Sequence, residues 1–286
     1  MPQPIVDQIK KICQAYDLWP ARSKGQNFLI NQKVLNQIIT RAELLPTDTV
    51  LEVGPGLGIL TEALVKKVKK VISVELDAKL FGFLKAKFAG ASNLELINED
   101  ILKFNPETYN LKSISYKIVA NLPYNITSHF LKNFLTRRER PATMTLLVQK
   151  EVAERICAKP GQMSLLSVSA QLYGDPEIIE IVGRNNFWPV PKVDSAILRI
   201  SKIKNQPQVD KFLEGITEKF FWQMAKIGFA AKRKQLQNNL AAGFKISSDD
   251  LKKMLNEANF NPKIRAQELS VADWLKLAKE LNNYLN

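Results

Sequence analysis

Short apolar runs alternate with amphipathic segments over the first two thirds of the chain. Runs such as residues 49–53 and 71–75 are almost wholly apolar and end in polar or glycine-containing turns, which predicts buried strands. The segments between them repeat apolar residues at helical spacing. Strands that are apolar on both faces and alternate with helices form a parallel sheet covered on both sides. The pattern therefore predicts an α/β, doubly wound, Rossmann-like domain.

The predicted elements follow one another closely along this part of the chain. The predicted strands are residues 49–53, 71–75, 94–97, 117–120 and 143–148. The predicted helices are residues 5–16, a second through 34–39, and then 59–68, 78–88, 128–135, 150–157 and 165–172. Two later strands, 177–182 and 193–200, are expected to end the domain as a hairpin-like pair.

The last part of the chain has a different pattern. Residues 201–209 are polar and include Pro207, which indicates a linker. Every later segment has helical periodicity, and Pro262 interrupts it between two helices. We therefore expect a first domain over residues 1–203 and a smaller all-helical domain over residues 210–286.

The charge balance indicates a polyanionic partner. The 286 residues include 41 Lys and Arg against 28 Asp and Glu, a formal net charge of +13. Such an excess favours nucleic acid through phosphate neutralisation. No apolar run approaches the ~20 residues of a membrane span, so we expect a cytoplasmic protein with no membrane partner. Two distant cysteines and a single histidine give no basis for a metal site.

A glycine-rich loop follows the first predicted strand of the sheet. Gly54, Gly56 and Gly58 allow a sharp turn and a close approach of the backbone to a ligand. Glu75 ends the next strand, where a carboxylate can accept hydrogen bonds from ribose hydroxyls. Asp100 follows the third strand, in a position to accept from an adenine amine. The Gly-x-Gly-x-Gly spacing together with Asp100 favours S-adenosylmethionine as the cofactor over a nicotinamide dinucleotide.

The sequence Asn121-Leu122-Pro123-Tyr124 ends the fourth predicted strand, at the edge where open parallel sheets bind ligands. An adenine amine is a poor nucleophile because its lone pair is delocalised into the ring. The Asn121 side-chain oxygen and the Leu122 carbonyl can accept its two hydrogens and favour a pyramidal nitrogen. Tyr124 offers a flat face for an unstacked base. We therefore predict Asn121, Leu122 and Tyr124 as the catalytic group and Tyr124 as a substrate-binding residue.

Together these motifs resemble the ribosomal RNA adenine dimethylase family, and in particular the branch that modifies small-subunit RNA. The resemblance extends over essentially the whole first domain. The segments that carry it are 25–29, 52–58, 75–77, 99–100, 121–126, 149–152 and 191–195.

The resemblance implies a role for individual residues. Asn27 and Leu29 would close over the cofactor, and Gly54 and Gly56 would line its methionine side. Glu75 would hold the ribose.

The same resemblance implies contacts nearer the reacting atoms. Asp100 would read the cofactor adenine, and Asn121 would lie near the sulfonium. Phe187 would sandwich the target adenine opposite Tyr124. Ordinary hydrophobic packing beside the prolines is the alternative for Phe187.

Members of this branch of the family methylate two adjacent adenines, each twice, in a hairpin near the 3′ end of small-subunit ribosomal RNA. The implied setting is small-subunit biogenesis, with rRNA or a pre-assembled small subunit as partner and a monomeric enzyme. A macrolide-resistance enzyme acting on large-subunit RNA, a non-catalytic assembly or transcription cofactor, and a nicotinamide-dependent oxidoreductase are the alternatives.

Basic residues in two places are candidates for RNA contact. Arg137, Arg138 and Arg140 follow the helix behind the Asn-Leu-Pro-Tyr turn, and residues 232–234 form a Lys-Arg-Lys run in the helical domain. The lysines of 66–70 end a helix, where cations favourably face the negative end of the dipole, so a solvated surface is preferred there.

Overall fold

The computed structural model describes residues 5–20 and 25–285 of the chain. Two compact units emerge from its contacts. The first contains Met1–Glu154 and Asp175–Ile203, and the second contains Arg155–Gly174 and Lys204–Asn286. The domain limits expected from the sequence, 1–203 and 210–286, stay predictions. The compact units assign Arg155–Gly174 to the second unit, whereas the sequence-based limits place it in the first domain.

A seven-stranded mixed sheet organises the first unit. Its strands are β2 (Thr49–Val53), β3 (Lys70–Glu75), β4 (Leu94–Asn98), β5 (Lys117–Asn121), β6 (Thr143–Gln149), β7 (Asp175–Val182) and β9 (Ser195–Ser201). Two short strands, β1 (Phe28–Leu29) and β8 (Phe187–Trp188), pair separately. The order in the sheet is β4-β3-β2-β5-β6-β9-β7. The first five are parallel, and β9 and β7 complete the sheet in antiparallel pairing.

Helices cover the central strands on both faces. They are α1 (Ile5–Tyr16), α2 (Gln32–Arg41), α3 (Ile59–Val65), α4 (Ala78–Lys87), α5 (Thr127–Thr136) and α6 (Lys150–Ile156). Successive residues of β2 and β5 are buried, as expected for strands without a solvent face. One core cluster joins Ile38 of α2 and Leu64 of α3 to Val119 of β5. The predicted doubly wound α/β class is confirmed.

The strand order places a topological switch at β2. After β2 the chain moves to β3 and β4 on one side, and it then crosses to β5 on the other side. Ligands of open α/β sheets bind outside the carboxyl ends of the strands at such a switch. The glycine loop after β2 and the turn after β5 therefore meet at one crevice.

The second unit is helical. It holds α7 (Leu165–Tyr173), α8 (Gln206–Leu213), α9 (Glu218–Gly228), α10 (Leu236–Phe244), α11 (Ser248–Glu257) and α12 (Val271–Leu285). The predicted linker 201–209 is wrong in its second half, because α8 begins at Gln206. Asn205 caps that helix by accepting from the Gln208 backbone N–H at 3.0 Å, and Pro207 is tolerated in the first turn.

Across the described ranges, no helix combines the length and the apolar character needed to cross a bilayer.

The third glycine of the loop generates a stability prediction. Gly58 has φ of +74°, and a Cβ there would come within 2.6 Å of Phe88 Cε2 and 2.9 Å of Leu84 Cδ2. We expect Gly58→Ala to lower the free energy of unfolding by about 1–3 kcal/mol, through overpacking and backbone strain. Urea denaturation measures the change.

Gly82→Ala is the matched control. Gly82 lies inside α4, and a Cβ there would meet nothing within 4 Å. Alanine should be neutral or stabilising by up to about 1 kcal/mol at this helical position. Equal losses in the two variants would contradict the packing explanation.

Candidate functional site

One pocket lies at the carboxyl ends of β2, β3 and β5, within the first unit. The glycine loop, the Asn-Leu-Pro-Tyr turn and the segment before α2 enclose it. The predicted site residues that line it are Asn27, Leu29, Gly54, Gly56, Glu75, Asn121, Leu122 and Tyr124. Asp100 and Phe187 do not belong to its lining. The structure thus brings most of the predicted residues together, and their individual roles stay predictions.

The side-chain amide of Asn121 has a defined orientation. Its Nδ2 donates to the backbone carbonyl of Asn27 at 3.2 Å. This bond leaves Oδ1 available, and no described residue donates to that oxygen. The Leu122 carbonyl likewise accepts from no described residue, while its N–H donates to Leu147 O at 3.1 Å. Two acceptor oxygens on neighbouring residues are therefore open at the end of β5.

Tyr124 is held at its hydroxyl end. Its Oη lies 2.7 Å from Oγ of Ser195, a fully buried residue at the start of β9. Burial raises the pKa of the Tyr124 phenol, which keeps it neutral. The ring is half-buried and lines the pocket. Ser195 thus positions Tyr124, and the strand order β5-β6-β9 brings the two residues together. This role of Ser195 was not predicted from the sequence, although the residue belongs to the motif segment 191–195.

The segment before α2 is tied to the connector before β9. Phe28 pairs with Trp188, and Leu29 pairs with Phe187. Asn31 Nδ2 donates to Asn186 Oδ1 at 2.7 Å. This two-strand ribbon holds Asn27 and Leu29 beside the glycine loop.

The glycine loop passes directly under this ribbon. A Cβ on Gly56, whose φ is +59°, would lie 3.1 Å from Phe28 Cε1. Only glycine combines this backbone conformation with so close an approach.

Two backbone N–H groups hold the Glu75 carboxylate in place. Its Oε2 accepts from Gly56 N at 3.1 Å, and its Oε1 accepts from Asp77 N at 2.9 Å. Burial raises the pKa of Glu75, and these hydrogen bonds oppose the shift. Each oxygen keeps further acceptor capacity toward the pocket. Asp100 instead lies outside the lining and accepts from Leu102 N at 2.9 Å, so its contact with an adenine stays a prediction.

Glu52 is a buried carboxyl in the floor of the pocket, and it is only 1 % exposed. Its Oε2 accepts from Thr61 Oγ1 at 2.7 Å and from Ser73 Oγ. Burial is the main cause that raises the pKa of Glu52 to about 7. The sequence reasoning gave Glu52 no role. A charged residue within an otherwise apolar strand was the available signal, because such residues are almost never fully buried without a partner.

The described lining of the pocket is acidic. Glu52, Glu75 and Asp77 contribute carboxyl groups, and no lysine or arginine is among the lining residues. Such a pocket suits a cationic ligand better than a dinucleotide with a charged pyrophosphate. The glycine cradle, the ribose-compatible Glu75 and this charge fit S-adenosylmethionine. Among the described residues, no three His, Cys, Asp or Glu side chains form a group able to hold a metal ion.

Phe187 lies in the core of this structure. It is 1 % exposed and packs in the cluster that contains Leu29, Ile38 and Ile197. Its β-pairing with Leu29 turns the ring away from solvent, so hydrophobic packing accounts for the residue in this conformation. The predicted stacking opposite Tyr124 would require the ring to leave this cluster.

The basic residues predicted to contact RNA differ in how deeply they are buried. Arg140 is fully buried and its Nε donates to Leu135 O at 2.6 Å, so the prediction of RNA contact is wrong for this residue. Arg137 is half-buried, donates to Phe104 O at 3.2 Å and stacks on Phe134. Arg138 and residues 232–234 are exposed. Arg138 and residues 232–234 therefore remain the candidates for contact with RNA phosphates.

Comparison with known protein families gives a match over most of the chain. The model of the family described as ribosomal RNA adenine dimethylase matches residues 21–283. A protein of Dehalococcoides mccartyi named ribosomal RNA small subunit methyltransferase A is 46 % identical over 276 residues, covering 96 % of this chain and 93 % of that protein. A Bacillus cytotoxicus protein of the same name is 36 % identical and covers 96 % of each chain.

Solved structures show the same relationship. The crystal structure of the 23S rRNA methyltransferase ErmE aligns with a TM-score of 0.71 at 30 % identity, covering 90 % of this chain and 100 % of that one. A dimethyladenosine transferase from Plasmodium falciparum aligns with a TM-score of 0.72 at 27 % identity, covering 90 % and 98 %.

The buried Glu52 generates a prediction about pH. Its pKa is about 7 in the folded state against the usual 4.5, so the folded state binds the proton more tightly. The resulting stabilisation is full below pH 4.5 and is lost as the pH rises through about 7. Relative to Glu52→Gln, the wild-type free energy of unfolding should fall by on the order of 3 kcal/mol between pH 4.5 and pH 8.

Urea denaturation of both proteins across this pH range measures the difference. The other titrating groups are present in both proteins, and the repulsion between Glu52 and Glu75 is part of the measured difference. Parallel curves would show that the Glu52 carboxyl titrates normally.

Proposed function

The chain belongs to the ribosomal RNA adenine dimethylase family, and we propose that it uses S-adenosylmethionine to dimethylate two adjacent adenines in a hairpin near the 3′ end of small-subunit ribosomal RNA. The observation that carries this proposal is the pair of open acceptors, Asn121 Oδ1 and Leu122 O, beside an acidic pocket at the switch point of the sheet. The relatives named small subunit methyltransferase A support this substrate over large-subunit RNA.

The two open oxygens activate the adenine amine. When each accepts one amine hydrogen, the nitrogen lone pair is drawn out of conjugation with the ring and can be directed at an electrophile. Orientation of this kind can lower a barrier by several kcal/mol, up to about 7–11 in well-aligned cases. The Asn121 bond to Asn27 keeps the amide from rotating, and so keeps Oδ1 on the substrate side.

The cofactor half of the site is proposed from the remaining residues. When bound, S-adenosylmethionine supplies the electrophilic methyl group. Gly54 and Gly56 would accommodate its methionine side, Glu75 would accept from the ribose hydroxyls, and Asn27 and Leu29 would cover it. Asp100 is proposed for the adenine.

Tyr124 would receive the flipped adenine. The Ser195 contact fixes its hydroxyl end, so the ring is presented to the pocket in one orientation. Stacking on an aromatic face contributes about 1–3 kcal/mol per base and tolerates any base. Specificity for the amine then comes from Asn121 and Leu122.

The macromolecular substrate follows from charge and family. A net charge of +13 favours binding to ribosomal RNA through its phosphates, and the exposed run 232–234 is a candidate contact. We propose small-subunit rRNA or a pre-assembled small subunit as the partner, a monomeric enzyme, and a cytoplasmic location.

The test combines a substrate survey with a variant of Asn121. Purified protein is incubated with labelled S-adenosylmethionine and either unmethylated small or unmethylated large subunits, and mass spectrometry locates the label. We expect dimethyladenosine at two adjacent positions of small-subunit RNA. Asn121→Ala should reduce the rate at least about a hundredfold, the cost of removing one preorganised transition-state contact.

Asn36→Ala is the control, because Asn36 is an exposed residue of α2 whose side chain bonds only to Gln32 among the described residues. It should retain the wild-type rate. Label on large-subunit RNA alone would favour the macrolide-resistance type, and absence of label from both RNAs would favour a non-catalytic assembly role. Either result overturns the proposal.

A further inference from the structure

The two oxygens of the Glu52 carboxyl have different surroundings. Oε2 accepts from hydroxyls on α3 and β3, namely Thr61 and Ser73. Oε1 is buried and has no hydrogen-bond partner among the residues that the structure describes. A buried acceptor left without a partner costs about 1–3 kcal/mol, so its retention calls for an explanation. Glu52 lines the same pocket as the predicted cofactor residues, which makes a ligand group the natural partner.

Neighbouring charged groups have opposing effects on the ionisation of Glu52. From β3, the Glu75 carboxylate disfavours a second negative charge, and from α4, Lys87 favours it. The Lys87 Nζ is itself bonded to Leu57 O at 3.0 Å and lies 3.8 Å from Glu62 Oε2 on α3. Burial is the largest influence on the Glu52 pKa and opposes ionisation. A positive charge that enters the pocket would therefore shift Glu52 toward its charged form.

We infer that Glu52 makes this pocket selective for the charge of the cofactor, so that the cationic S-adenosylmethionine binds more tightly than its neutral product S-adenosylhomocysteine. This inference rests on the proposed function. The two molecules share the ammonium, the carboxylate, the ribose and the adenine. They differ by the methyl group and by the positive charge of the sulfonium. The role proposed for Glu75 is to accept from the ribose hydroxyls, which both molecules share.

The protonation of Glu52 changes with the charge of the bound ligand. When the cation binds, the protonated, neutral fraction of Glu52 releases its proton to the solvent, and the resulting carboxylate carries the negative charge that pairs with the sulfonium. After methyl transfer the sulfonium charge is gone, and Glu52 takes a proton back from solvent. The neutral product is then held less tightly, which favours its exchange for a new cofactor molecule.

The experiment is calorimetric titration of the full chain, without RNA, with three ligands. These are S-adenosylmethionine, S-adenosylhomocysteine, and sinefungin, whose amine carries the positive charge without a transferable methyl group. At pH 8 we expect Glu52→Gln to weaken both cationic ligands roughly tenfold relative to S-adenosylhomocysteine, as for a charge pair at an intermediate effective dielectric constant. Retained binding of S-adenosylhomocysteine shows that the variant has folded with its pocket intact.

Two matched variants define the specificity of the effect. Glu107→Gln removes an exposed carboxylate that is not part of the pocket lining, with the same change in net charge, and should leave the ratio of affinities unchanged. Glu75→Gln should weaken all three ligands alike. In wild type at pH 7, titrations in buffers of different ionisation enthalpy should show release of a fraction of a proton with the cationic ligands only.

The outcomes separate this inference from the proposed function. Equal weakening of all three ligands by Glu52→Gln, or identical proton release for charged and neutral ligands, overturns the selectivity while leaving the cofactor assignment in place. Failure of wild type to bind any of the three ligands contradicts the proposed cofactor itself.

Discussion

The hydrogen bond from Asn121 Nδ2 to the Asn27 carbonyl is the constraint on which the rest of the site depends. It determines which atom of the Asn121 amide faces the pocket. A reversed amide would present two donor hydrogens to a substrate amine, and the acceptor pair formed with Leu122 O would be lost. The bond also joins two distant parts of the chain, the end of β5 and the segment before α2. In the proposed mechanism, packing of that segment therefore determines the orientation of the Asn121 oxygen that would face the target amine.

The fold supports this bond from two directions. The parallel order β3-β2-β5 brings the glycine loop and the Asn-Leu-Pro-Tyr turn to the same edge of the sheet. The antiparallel addition of β9 places Ser195 under Tyr124, while the connector before β9 supplies β8, the partner of β1. The late strands therefore support two elements of the pocket, the Tyr124 side chain and β1, and they also add Phe187 and Ile197 to the core cluster.

Much of this arrangement could be predicted from the sequence because apolar runs and glycine spacing are local signals. The strand at 49–53 and the helix at 5–16 were predicted at their observed limits. The two-residue strands β1 and β8 were not, since neither is long enough to show a period and each exists only through the other. The start of α8 at Gln206 was masked by a proline that is tolerated in a first turn.

Side-chain environments were predicted less well than backbone elements. Arg140 was predicted as a candidate for RNA contact, and it is buried because the fold closes over it. Phe187, whose stacking role was implied by the family resemblance, is also buried, and that role stays a prediction. Glu52 was interpreted only as the start of the glycine motif. The burial of its Oε1 atom becomes visible only when β3 and α3 pack around it in the structure. Burial depends on contacts between distant segments, and a single sequence does not show these contacts directly.

The most direct measurement is a crystal structure of the protein with S-adenosylhomocysteine and an RNA hairpin that carries the target adenines. We expect the adenine to be flipped out of the stack, with its amine nitrogen about 3 Å from both Asn121 Oδ1 and Leu122 O. An adenine that enters the pocket with its amine directed away from both oxygens, or with Asn121 Nδ2 facing it, would contradict this mechanism of activation.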